Sequence, residues 1–300
     1  MAIKTVKFTL NGQTVELSYD STNAVYSGTV TAPGTTSWNQ NDDHKYNGTV
    51  AVEDTAGNKV TATVSDFSTL GLRVLEKTKP TISVTYPTAG AYVTNSKPTI
   101  KWTVTDADSG INSDTISIKI DGGTAVTSGI TKTAATNGYT CEYTPSTALS
   151  EGSHTFTFNV SDNDGNAATA TSVSCTIDTV PPTLNISAPA NNAITNNATV
   201  TVSGTTNDTT SSPVSLTVKV GSGTAKTVSV NSDGSFSTTV TIVEGANTIT
   251  IVSKDSAGKT TTVTRTVTLD TSIPVIQSIT LTPNPVDAGA TYVVTVKVTD

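Results

Sequence analysis

The sequence predicts an all-β chain built as tandem β-sandwich domains. Three observations carry that reading. First, Thr, Val, Ser, Asn and Gly dominate, while arginine occurs only at Arg73 and Arg265; β-branched residues favour strands and the good helix formers are thin. Second, apolar and polar residues alternate over short runs separated by turn signals. Third, one stretch recurs: a strand, a tight turn, a Thr-rich strand, then a proline. Its turns are Asp54-Thr55-Ala56-Gly57-Asn58, Asp162-Asn163-Asp164-Gly165-Asn166 and Asp255-Ser256-Ala257-Gly258-Lys259. The second leads to Asp178-Thr179-Val180-Pro181-Pro182 and the third to Asp270-Thr271-Ser272-Ile273-Pro274. Recurrence at this scale marks a repeat architecture, and the 300 residues suit roughly two to four domains.

Residues 1–76 read as five or six strands. A strand over 3–10 meets Asn11-Gly12, a strong two-residue hairpin signal, and returns over 14–19. A strand over 24–32 follows, then a loop over 33–44 with Trp38, Asp42 and Asp43. Strands over 45–53 and 59–66 pair across Ala56-Gly57-Asn58, and 67–76 is a connector.

Residues 79–178 form a fuller unit. A strand over 80–86 opens with proline, as edge strands allow. Ile100, Trp102 and Val104 share one face of the strand over 98–105, and Ile116, Ile118 and Ile120 one face of 115–120. Asp121-Gly122-Gly123 turns the chain into 124–127. Tyr139, Cys141 and Tyr143 mark the next strand, then Phe156, Phe158 and Val160, then Val173, Cys175 and Ile177. Seven strands with turns every ten residues or so fit an immunoglobulin-like sandwich, with Trp102 as its core aromatic.

Residues 179–270 repeat the plan, with strands over 184–186, 200–202, 216–220, 228–230, 236–242, 248–252 and 263–269. Residues 271–300 begin a fourth copy, over 276–281 and 292–298. The ending Val298-Thr299-Asp300 matches Val104-Thr105-Asp106. Two strands cannot bury a core, so either the chain continues past Asp300 or a neighbour completes the fragment. The expected domains are therefore 1–76, 79–178, 179–270 and 271–300, joined by short proline-containing linkers.

Aligned with the others, the first unit starts late. Asn11-Gly12 falls where Asp121-Gly122-Gly123 and Gly221-Ser222-Gly223 fall. It is expected to be a sandwich without its first two strands, unless 67–76 folds back as one of them. Open strand edges invite pairing, so residues 1–76 are expected to be a docking module for a partner or another copy; the competing reading is a small self-sufficient sandwich.

The net charge of −7 argues against nucleic acid, which requires clustered Lys and Arg, and against an anionic membrane surface. Met1 to Phe8 shows strand alternation rather than a signal sequence, and no apolar run is long enough to span a membrane. The chain is expected to be made in the cytoplasm, with no membrane insertion.

No catalytic, cofactor-binding or metal-ligating set is expected. His44 and His154 lack partners at metal spacing and read as solvated polar residues. Gly221-Ser222-Gly223-Thr224-Ala225-Lys226 is flanked by strands and reads as a hairpin turn rather than a phosphate loop. Cys141 and Cys175 lie on apolar parity and read as buried thiols, with a disulfide between them the alternative. Asp106 and Asp108, with Asp162 and Asp164, resemble half of a calcium loop. Turn chemistry accounts for the same residues, and the matching turns at Asp54 and Asp255 lack a second carboxylate, so calcium is the lesser reading. Asn-x-Ser/Thr triplets such as Asn47-Gly48-Thr49 reflect the composition.

These residues resemble the bacterial and phage immunoglobulin-like repeat modules. The matching marks are Pro80-Thr81-Ile82-Ser83-Val84 with Tyr86-Pro87, Trp102-Thr103-Val104-Thr105-Asp106 with Ser109-Gly110-Ile111, Val160-Ser161-Asp162 with Gly165-Asn166, and the two linkers. The resemblance covers 79–300 well and 1–76 in part. It implies a fold and, more loosely, a set of settings, since such modules serve many functions. A methionine-initiated chain without a leader looks like a virion protein: a baseplate, fibre or decoration of a phage tail or contractile particle. It would be multi-copy, contacting other tail proteins, with host cell-surface glycans as a further class of partner. The alternative is a bacterial surface adhesin or cell-wall protein whose signal is not in this sequence. A third is a spacer or carbohydrate-binding part of an enzyme, for which Trp38 and Tyr46 are the modest aromatic candidates. An enzyme within these residues is not expected.

Overall fold

The computed structural model describes residues 2–300. The chain divides into two compact units, one ending at Ile177 and one running from Asp178 to Asp300.

The first unit opens with β1 (Ile3–Leu10), β2 (Gln13–Glu16), β3 (Ser18–Asp20), β4 (Val25–Ser27), β5 (Tyr46–Asn47), β6 (Thr49–Asp54), β7 (Lys59–Ala62) and β8 (Gly71–Leu72). One four-stranded antiparallel sheet has the order β2-β1-β6-β7; β3–β4 and β5–β8 are two-stranded ladders. Asn11 and Gly12, both at positive φ, make the β1–β2 turn that matches strand twist. Val6 and Phe8 lie opposite Val52 and Val50, and Val52 lies opposite Val60, so one face of the sheet is an apolar row. Among the described residues of this module only Val6, Leu10 and Tyr46 are buried apolar side chains. A groove of about 530 Å³ lined by Phe8, Leu10, Leu17, Tyr26, Val30 and Leu70 borders the row.

Several expected strands are shorter here. The run 14–19 breaks at Leu17, whose N–H bonds Val6 O at 2.8 Å, and its halves join different sheets. The run 24–32 is a strand only over Val25–Ser27. The run 59–66 stops at Ala62, because Asp66 takes the Thr63 N–H at 2.8 Å and closes a turn. The connector 67–76 holds a short 3-10 turn and β8, which pairs with β5 over two residues rather than forming a full strand.

The second module contributes β9 (Thr81–Tyr86), β10 (Tyr92–Val93), β11 (Ile100–Thr105), β12 (Ile111–Ile120), β13 (Thr131–Ala135), β14 (Gly138–Tyr143), β15 (Gly152–Asp162) and β16 (Thr171–Ile177). The sheets β13-β14-β11-β9 and β10-β16-β15-β12 enclose a core of Ile100, Trp102, Val104, Ile116, Ile118, Phe156 and Phe158, all essentially inaccessible to solvent. Trp102 packs on Phe158 with ring centroids 5.0 Å apart.

The second unit repeats this with β17 (Thr183–Ala188), β18 (Ala193–Thr195), β19 (Thr199–Asn207), β20 (Ser215–Val220), β21 (Lys226–Val228), β22 (Ser235–Thr241), β23 (Gly245–Lys254) and β24 (Thr260–Leu269). Its sheets are β17-β19-β22 and β18-β24-β23-β20-β21, around Val202, Leu216, Val218, Ile249, Ile251 and Val267. The fold is all-β, with tandem immunoglobulin-like sandwiches as the sequence predicts. The segment around Val126 corresponds to β21, since Val126 bridges Ile118 of β12 as Lys226 pairs with Val218 of β20; β13 is an additional strand, paired with β14. The opening module's order β2-β1-β6-β7 parallels β21-β20-β23-β24. Finally β25 (Val275–Thr282) and β26 (Val293–Thr299) pair only with each other, and all their residues are exposed.

Candidate functional site: two buried carboxylate clusters

Three acids converge in each unit. Glu76, Asp106 and Asp162 each offer a carboxylate oxygen within 4.8 Å of the other two, as do Asp178, Asp208 and Asp255. The fold brings the same three places together. Glu76 and Asp178 precede the modules' opening strands β9 and β17; Asp106 and Asp208 follow β11 and β19; Asp162 ends β15 and Asp255 follows β23. Thirty positions separate Glu76 from Asp106, and thirty separate Asp178 from Asp208.

The hydrogen bonds repeat as well. Asp106 Oδ1 accepts the N–H groups of Asp108 at 3.1 Å and Gly110 at 2.9 Å. Asp208 Oδ1 accepts those of Thr210 at 2.8 Å and Ser211 at 2.7 Å. The serine three residues beyond each aspartate donates to the acid preceding the module: Ser109 Oγ to Glu76 Oε1 at 2.9 Å, and Ser211 Oγ to Asp178 Oδ2. Asp162 Oδ1 takes Asn166 N, and Asp255 Oδ1 takes Lys259 N, both at 2.8 Å. These are turn-forming contacts, and they leave something over. Asp106 Oδ2 and Asp255 Oδ2 are buried with no hydrogen-bond partner; each residue is only 5% exposed.

Among the described residues no cationic side chain pairs with any of the six acids. At an effective dielectric of about 20, unit charges at such separations repel by roughly 3 kcal/mol or more per pair. Buried charges are ordinarily paired or bound to a metal. An all-oxygen donor set of this charge suits a hard divalent cation, and offers neither the sulfur nor the nitrogen that zinc prefers.

The four expected calcium candidates divide. Asp106 and Asp162 enter the first cluster; Asp108 and Asp164 do not. Asp108 Oδ2 accepts Thr78 Oγ1 at 2.8 Å. Asp164 anchors the opening module to the second: its Oδ1 meets Arg73 Nη2 at 2.6 Å, and its Oδ2 accepts Thr36 Oγ1 and Glu76 N. Asp178, from the linker, lies in the second cluster. Comparing turns with turns made Asp255 look solitary; its companion carboxylates come from other loops. Asp54 makes the turn alone, half-buried, with Ala56 and Asn58 as donors.

Neither histidine is simply solvated. His44 stacks on Trp38 with centroids 3.8 Å apart. His154 is buried, with Nδ1 2.7 Å from Asp121 Oδ2. Ser150, His154 and Asp121 superficially order themselves like a nucleophile, base and orienter. However, Nε2 faces Ser150 O at 2.9 Å and Ser150 Oγ only at 3.4 Å, so a main-chain carbonyl occupies the nitrogen that a general base needs free. The two cysteines are free and buried. Trp38 is covered by His44 and by Arg73, whose guanidinium carbon lies 4.9 Å from the ring centroid, and Tyr46 is buried. The pair offers no aromatic platform for a sugar.

Comparison with known proteins agrees with this architecture. Residues 80–158 match a family model described as a bacterial Ig domain, and residues 182–271 match one described as domain B of glucodextranase. Two stretches of the chain thus match domain models, one of them a bacterial Ig domain, within a fold of tandem immunoglobulin-like sandwiches. No curated protein matches it. Among solved structures it is similar to the fibronectin(III)-like modules of Clostridium thermocellum CbhA, at 16% identity, covering 63% of this chain and 94% of that one, with a TM-score of 0.37. It is also similar to titin domains A168–A170, at 12% identity, 87% and 85% coverage and TM-score 0.39. A third is a bacterial ice-binding adhesin, at 22% identity, 89% and 86% coverage and TM-score 0.31.

Proposed function

We propose that the chain is a non-enzymatic structural and attachment component whose repeated sandwiches supply reach. The observation that carries this is the repetition itself: the modules spend their residues on sheets and cores, and the two acid clusters recur at the ends of strands and the connections beside them. The one serine, histidine and aspartate alignment is closed off by a carbonyl, which supports a role outside catalysis. Two settings suit such a part. One is a phage tail or contractile particle, as baseplate, fibre or decoration; the other is the bacterial surface, as an adhesin or wall protein. The bacterial Ig domain match suits both.

In an assembly the opening module is the docking part, and its occupant is another copy of this chain. Its groove, lined by Phe8, Leu10, Leu17, Tyr26, Val30 and Leu70, is the apolar surface offered to that copy. The β25–β26 pair bares the matching face, with Ile279 opposite Val296 and Leu281 opposite Val294. Light scattering of the purified chain against concentration tests the contact. Self-association abolished by Ile279→Lys supports it; a monomer throughout removes it.

The setting is tested by fractionating the native source and probing with antibody to this chain. Recovery with sedimenting tail particles places it in the virion, and recovery with washed cell envelopes places it on the surface. Free protein in the cytosolic fraction alone overturns both.

A further inference from the structure

We propose that each carboxylate cluster is a calcium site: one formed by Glu76, Asp106 and Asp162, the other by Asp178, Asp208 and Asp255. Convergence of acids would not carry this alone. The deciding observation is the leftover oxygen in each cluster. Asp106 and Asp255 are both more than nine-tenths buried, and Oδ1 accepts two backbone N–H groups in the first and one in the second. Oδ2 is then the oxygen left for the cluster, and in both residues it has no donor. Turn chemistry explains the first oxygen and leaves the second unexplained.

The recurrence is independent support. Two modules with different loops hold the same three places, the same thirty-residue spacing and the same bridging serine. The stretch from the second acid to the third spans 56 positions in one module (162 − 106) and 47 in the other (255 − 208), so the same grouping forms from segments of different length. Asp54 and Asp162 close their turns alike, each with both oxygens held by the asparagine four residues on; among the described residues only Asp162 has two further acids beside it.

The chemistry selects the ion. All donors are oxygen, and the set carries three formal negative charges. Calcium takes six to eight oxygen ligands in a flexible shell, whereas magnesium demands a near-ideal octahedron and keeps its waters. Glu76 and Asp178 lie on the segments that lead into β9 and β17. A bound ion therefore ties each entering segment to two loops of the sandwich it enters, and calcium should stiffen those segments.

The test is calcium titration of the full chain by isothermal calorimetry, with thermal unfolding in calcium and in chelator. Two bound equivalents are expected, with Tm rising by roughly 4–8 °C for each kcal/mol of binding-linked stabilisation. Asp106→Asn and Asp255→Asn retain the Oδ1 acceptor and so retain the turns; each should remove one equivalent. In chelator both variants should melt at or above the parent, because a charge has been taken from a repelling trio. Equal Tm in calcium and chelator together with no binding heat overturns the proposal. So does a parent and a double variant that respond to calcium alike, or equal stabilisation by magnesium at the same concentration.

Discussion

Cys141 and Cys175 sit in the core of the second module as free thiols. Burial pushes the Cys141 thiol up to about 11 and raises that of Cys175. Thiolate is the reactive form, so neither should react with a maleimide in the native protein at about pH 8. Both should react on unfolding, and rapid native labelling would contradict this. Asp121 makes a second residue-scale prediction. Partial burial pushes its carboxyl up, but the Thr155 N–H, the His154 hydrogen bond and the ring's charge together hold it below 3.8. A folded value below the unfolded one stabilises above the unfolded pKa, and that gain disappears as pH falls through the folded value. The side chain is about half exposed, so Asp121→Asn should cost only about 0.5 kcal/mol near neutrality. The difference from the parent should close as the pH falls below the ordinary aspartate value and through the lowered folded one; a gap that persists in strong acid would assign the loss to packing.

At the scale of strands, two glycines are fixed by close approach. A Cβ at Gly138 in β14 would lie 1.9 Å from Val104 O, and one at Gly204 in β19 would lie 2.0 Å from Asn185 O. The obstacle is backbone in both cases. Gly138→Ala and Gly204→Ala should each cost about 1–3 kcal/mol or more, measured by urea unfolding. Gly34→Ala, with open space around its Cβ position, should be neutral by the same measure. A lone glycine inside a strand does signal close approach, but only the partner strand says which atom it meets. The long core strands were legible because Ile100, Trp102 and Val104, or Phe156, Phe158 and Val160, alternate without interruption. The short ones were not. Strands β10 and β18 are two and three residues long, too brief for periodicity, and exist by pairing in parallel with β16 and β24. Strand β13, Thr-Lys-Thr-Ala-Ala, has no apolar alternation; it is a strand because Asn137, at positive φ, turns it onto β14.

For the molecule as a whole, repetition was legible and convergence was not. Asp106 and Asp162 were visible as turn acids, but their meeting with Glu76 depends on three loops at one end of a sandwich, which local sequence does not encode. The thirty-residue spacing was the available signal, and it returns between Asp270 and Asp300. The same modularity governs stability. The core around Trp102 and the core around Ile249 and Ile251 share no residue, so each is expected to lose stability by itself. Trp102 is fully buried, and Trp102→Ala removes a large side chain from a site bounded by paired strands that collapse poorly around a void. That should cost about 3–5 kcal/mol in the first of these cores. Differential scanning calorimetry should resolve it as one transition moved to lower temperature, while the transition of the Ile249 core stays in place. Ile251→Ala should do the reverse, at about 2–5 kcal/mol. If either substitution lowers both transitions equally, the sandwiches melt as one cooperative body and the modular account of the chain fails.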